Sequence, residues 1–108
     1  MSGLEESDKE AAAVAVAPRV TLNDIKSSIK ATHFINAFDV TKTVDESLKV
    51  LTICLVVHKN GFTIVGKSAP ASPENYNKEL GEKLAYEDCI RQLWPLMGFA
   101  LRERLANE

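Results

Sequence analysis

The 108-residue chain is poor in the residues most chemistries need. It has two histidines, two cysteines and one tryptophan. Cys54 and His58 stand four residues apart in a β-rich run, ~13 Å along an extended chain, too far to share an ion. His33 is distant in sequence, so neither metal nor cofactor is expected. Ser68 and Ser72 have Lys67 nearby but no histidine at a useful spacing, so a serine nucleophile would lack its base; capping and strand-end roles explain both serines. There is no Walker loop and no GxGxxG. Enzymatic activity is therefore not expected. The net charge is -2, which provides no basic field for a polyanion, and aromatics are only 6% of the residues, too few for a base-stacking platform. Lys49, Lys59 and Lys67 on or by the hairpin, with Arg102 and Arg104 near the end of the chain, keep association with nucleic acid as a second, weaker alternative, although solvated positions and helix-end charges explain them first and nucleic acid is not the expected partner.

Long hydrophobic runs are missing too. The apolar stretch AAAVAVA (11–17) is too short to span a bilayer, and acidic residues precede it where a signal peptide would be basic. A membrane is thus not an expected partner. Residues 1–17 read as a flexible tail ending at Pro18-Arg19, and residues 18–108 as one domain. Two cysteines without a secretory signal fit free thiols in a reducing cytoplasm.

What is present is patterning. Thr21 is a good N-cap, Asp24 sits where its charge favours a helix start, and Val20 with Ile25 can form a hydrophobic staple. Leu22, Ile25 and Ile29 share a face, so a short amphipathic helix is predicted over about 22–31. Residues 32–40 are mixed, with a short extended piece, and 41–47 read as an exposed loop. The β-branched run 48–58 reads as a strand. Asn60-Gly61 is a strong hairpin signal. With those two residues as the loop, Lys59 pairs with Phe62, Val57 with Ile64, Leu55 with Gly66 and Ile53 with Ser68. That face is assigned to the core. The opposite face carries Cys54, Val56, His58, Thr63, Val65 and Lys67, and its mixed character suits contact with a second subunit as well as a half-exposed surface.

Pro70 should end the second strand. Ser72, Pro73 and Glu74 together signal a helix start at Pro73. Along that helix Tyr76, Leu80 and Leu84 form an apolar row. Gly81, Ala85 and Cys89 form a row of small residues that lets another backbone approach. Asp88 between the rows needs a partner, with Arg91 a candidate. Trp94-Pro95 predicts a kink or break. The fold class is α+β: a short N-terminal helix, an antiparallel hairpin and a long C-terminal helix.

The pattern Asn60-Gly61-Phe62, Gly66, Ser68-Ala69, Ser72-Pro73-Glu74-Asn75-Tyr76, Gly81, Ala85, Trp94-Pro95-Leu96 and Gly98 resembles a family of small tailed-phage proteins, the gp forty-nine/gene sixty-six type. The likeness spans roughly residues 18–106. Lys67, Pro70 and Phe99 depart from it, standing where the family often has glutamate, cysteine and tyrosine. The resemblance implies a phage accessory protein acting in the host cytoplasm. It supplies no activity.

Two function classes follow. One is a homo-oligomeric module that docks a host protein, for example to block a defence complex, through Cys54, Val56, His58, Val65, Trp94, Met97 and Leu101. The other is an oligomeric sponge for a small anion such as a signalling nucleotide, held by Lys67, Ser68, Asn75, Arg91 and the helix start at Pro73.

Overall fold

The computed structural model describes residues 3–108. The capping reading near residue 21 holds in atomic detail. Thr21 Oγ1 accepts from the Asp24 amide and Asp24 Oδ2 accepts from the Thr21 amide, both at 2.9 Å. This reciprocal box starts a helix over Leu22–Ser27. The helix stops there, earlier than predicted, because Ile29–Asn36 is a strand, β1. Ser28 takes the C-cap, and its carbonyl accepts from the Lys59 amide at 2.8 Å. Tertiary pairing outweighs the local helical pattern here.

Asn36 ends the strand and caps the next turn. Its Oδ1 accepts from the Phe38 amide, and its Nδ2 donates to the Lys49 carbonyl. A short helix Ala37–Thr41 follows, closed by Lys42 at φ 54. Glu46–Val50 is a 3₁₀ turn capped by Asp45, so part of the expected loop and the first residues of the expected strand are helical instead. β2 is Thr52–His58 and β3 is Thr63–Ser68, giving an antiparallel sheet in the order β1-β2-β3.

The hairpin register differs by one residue from the predicted one. Cys54 pairs with Gly66, Leu55 with Val65 and Val56 with Ile64. The loop has three residues. The His58 carbonyl accepts from the Gly61 amide, and the His58 amide donates to Phe62. Gly61 alone in this loop takes positive φ, at 91°. Asn60 keeps negative φ and uses its side chain locally, Oδ1 accepting from the Phe62 amide. This is a type I turn followed by a glycine bulge. A one-residue slip swaps the faces of β2. Cys54 and Val56 are therefore core, and Ile53, Leu55 and Val57 lie on the outer face.

The second layer is one helix. It runs without a break over Lys78–Ala106, with Pro95 inside it. Its N-cap is Asn77, whose Oδ1 accepts from the Leu80 amide at 2.9 Å. Pro73–Asn75 is only a 3₁₀ turn, and Ser72 makes no side-chain cap bond. The small-residue row is the contact row, as expected: Gly81, Ala85 and Cys89 are buried with Ile90 and Leu93. They pack on Cys54, Val56 and Ile64 and on Leu22 and Ile25. Each of the larger aliphatic side chains buried there contributes roughly 1.5–3 kcal/mol. The row Leu80 and Leu84 points outward, 49% and 41% exposed.

Residues 3–14, expected to be part of a flexible tail, form a helix, Gly3–Val14. Asp8 anchors it: its carboxylate accepts from Arg19 Nη1 at 2.9 Å and from the Leu22 amide at 3.0 Å. Leu4 packs against the core. In chain order the helices Gly3–Val14, Leu22–Ser27, Ala37–Thr41 and Lys78–Ala106 are α1 to α4.

Gly66 is where α4 comes closest to the sheet. A Cβ there would meet the Ala85 carbonyl oxygen and lie 2.7 Å from Cys89 Sγ. Gly66→Ala should cost about 3 kcal/mol in urea unfolding. Gly98→Ala, in the same helix with nothing within 4 Å of the new Cβ, should instead stabilise by roughly 0.5–1 kcal/mol. The Leu22 amide bond, followed by Arg19, holds the Asp8 carboxyl below its ordinary range. A depressed acid stabilises the docked state above its unfolded pKa, and that stability is lost as pH falls through the lowered value. α1 should therefore undock in acid before the core melts, read by exchange of the Leu22 amide. Arg19→Ala should move that undocking to higher pH.

Candidate interaction surface

α4 covers only one face of the sheet. The strand pairing puts Ala31, His33 and Ile35 on the other face with Ile53, Leu55, Val57, Thr63, Val65 and Lys67. No element of the described chain packs over this face. Val65 is 57% exposed and Leu55 36%. It is an apolar centre edged by His33, Thr63 and Lys67. A second apolar strip runs from the hairpin tip along α4, with Phe62, Leu96 and Phe99 all exposed.

The two open sides of the sheet are finished differently. β3 is screened by α4: Asp88 Oδ2 accepts from the Lys67 amide at 3.0 Å, and Gln92 Nε2 donates to the Val65 carbonyl at 2.7 Å. Asp88 thus pairs with a strand amide and not with Arg91, and it is half-buried rather than enclosed. Among the described residues no side chain screens β1 in this way.

The predicted interface residues divide. Val65 is on the open face. Cys54 and Val56 are almost fully buried against α4, removed from any interface by the register shift. His58 is half-buried at the turn, where its Nδ1 accepts from the Asn60 amide. Trp94 and Met97 are structural ties: Trp94 Nε1 donates to the Val20 carbonyl at 3.2 Å, and Met97 lies 3.5 Å from the Ser28 hydroxyl. Leu101 and Trp94 line an apolar groove with Leu4 and Ala11 of α1. Sequence reasoning missed Ile53, Leu55 and Val57 as surface, and the signal that would have found them is the three-residue turn.

The predicted anion site is not assembled. Lys67 and Ser68 are consecutive strand residues and point to opposite faces. Asn75 is exposed on a 3₁₀ turn, Arg91 is exposed on α4, and the long helix starts at Lys78, five residues beyond Pro73. A hollow of about 180 Å³ does lie near that start, lined by Phe34, Thr52, Tyr76, Lys78, Asp39 and Glu82. Two carboxylates against one lysine make it a poor place for an anion. Among the basic residues considered for nucleic acid, Lys59 and Arg104 share a groove with Arg19, whereas Lys49 pairs with Glu46 at 3.0 Å.

The thiols are not poised for chemistry. Burial pushes Cys54 up to about 12, and burial also raises Cys89. Both are free, with Cys89 Sγ 3.6 Å from the Cys54 carbonyl oxygen. Among the described residues no group of three or more His, Cys, Asp or Glu could hold a metal ion, and no helix is long and apolar enough to cross a membrane.

Residues 20–105 match the family described as Phage protein (N4 Gp49/phage Sf6 gene 66). No curated protein and no solved structure matches the chain.

Three outcomes are expected. Native protein should react with a thiol reagent only as fast as it unfolds, so the labelling rate should track denaturant concentration. Asp88→Ala alone should cost about 1 kcal/mol, as for one partly exposed hydrogen bond. Combined with Gln92→Ala it should strip the β3 edge and produce aggregation visible by light scattering.

Proposed function

The chain belongs to the Phage protein (N4 Gp49/phage Sf6 gene 66) family, and from that premise we propose that it is a non-enzymatic accessory protein that acts in the host cytoplasm by docking a host protein. The observation that carries this reading is the uncovered outer face of the sheet, where Leu55 and Val65 stand open to solvent amid Ile35, Ile53 and Val57. A contiguous apolar face rimmed by polar side chains is what a protein partner covers. Inhibition of a host enzyme or defence complex by occlusion needs only such a surface and no reactive group.

The test is native mass spectrometry of the protein purified gently from infected host cells, with three variants in parallel. A host protein at fixed stoichiometry is expected with wild type and with Lys67→Ala. It should be lost with Leu55→Asp while the melting temperature stays within a few degrees. Loss on Phe99→Asp instead would move the docking surface to the α4 strip. A small releasable mass that disappears with Lys67→Ala would replace docking with capture of a small anion.

A further inference from the structure

The unequal edges of the sheet bear on self-association. In an antiparallel ladder each residue turns both backbone groups to the same neighbour, alternately left and right. Lys67 and Val65 turn theirs outward from β3, where Asp88 accepts from the Lys67 N–H and Gln92 donates to the Val65 carbonyl. By the same alternation Ala31, His33 and Ile35 of β1 bond to Val57, Leu55 and Ile53. The N–H and C=O of Thr32 and Phe34 therefore point away from the sheet, and no side chain among the described residues bonds to them. The strand has no proline, and its one irregularity lies at its start, between Ile29 and Ala31. α4 lies over β2 and β3 and leaves this flank clear, with Phe34 37% exposed. A fold that screens one edge with two side chains and leaves the other bare has a use for the bare edge.

We propose that β1 pairs antiparallel with β1 of a second copy, about a two-fold axis at His33, to make one continuous six-stranded sheet. His33 is the midpoint of Lys30–Asn36, so this register matches the whole edge with itself. Thr32 meets the partner's Phe34, and Phe34 meets the partner's Thr32, which gives four ladder hydrogen bonds. On the outer face Ala31 meets the partner's Ile35, so the two apolar faces run on without a step. Lys30, the only lysine, arginine or carboxylate in the strand, falls opposite the partner's Asn36, so the two lysines do not face each other. The pairing also enlarges the apolar face: one three-stranded face has a footprint of roughly 14 by 20 Å, and the six-stranded face about doubles it.

His33 and its counterpart form a non-hydrogen-bonded pair, with Cα atoms about 4.5 Å apart, within disulfide range. His33→Cys should therefore give an intermolecular disulfide dimer under mild oxidation, far faster than Lys26→Cys on exposed α2. Cys54 and Cys89 are buried and should not compete. Wild type should sediment as a dimer. Thr32→Pro, which removes an outward N–H and no β1-β2 bond, and Phe34→Lys should each sediment as monomers. The cross-link does not depend on either edge variant folding. A monomeric wild type, a dimer surviving both edge variants, or His33→Cys cross-linking no faster than Lys26→Cys would each overturn the proposal.

Discussion

The close approach of α4 to the sheet at Gly66 is the contact on which the rest of the molecule depends. A helix that meets a strand at Cβ-excluding distance needs a seam of small residues, and Gly66, Gly81, Ala85 and Cys89 supply it. With the helix held there, Asp88 and Gln92 come within hydrogen-bond reach of β3, and Trp94 reaches the Val20 carbonyl. α2 then fills the remaining space with Leu22 and Ile25. The same contact commits the long helix α4 to one face, and no element of the described residues covers the other.

A second constraint is the turn. Two-residue and three-residue hairpin loops differ by one residue in register, and one residue is the difference between inside and outside. The choice falls to Asn60. Its side chain satisfies the Phe62 amide, its backbone stays at negative φ, and Gly61 alone carries the left-handed step. Cys54 and Val56 thereby face α4, and Leu55 faces solvent. The surface available to a partner is set at the far end of the hairpin.

Much of this was legible in the chain. The Thr21–Asp24 box, the β-rich run, the hairpin and the small-residue row of the long helix are local signals, and local physics decides them. The likeness to the phage family rested on short strings of residues and holds over 20–105. What was not legible depends on tertiary pairing. β1 looks mixed because its residues alternate between a face half-covered at one flank and an open one. Ser72-Pro73-Glu74 has the composition of a helix start, yet the chain makes one 3₁₀ turn and waits for Asn77. Pro95 predicts a break, but removing one amide bond did not interrupt so long a helix. α1 has no fully buried residue and is held by Asp8, which reaches Arg19 and the Leu22 amide, and by Leu4 against the core.

Which residues of β2 face outward decides what a partner can touch, and proton NMR can read that directly. In the β2-β3 register Leu55–Val65 and Val57–Thr63 are non-hydrogen-bonded pairs, whose Hα atoms lie close together. Strong Hα–Hα contacts between Leu55 and Val65 and between Val57 and Thr63 are the expected result. Pairing of Leu55 with Gly66 instead would return Leu55 to the core, bring Cys54 to the surface and contradict the open apolar face on which the functional reading stands.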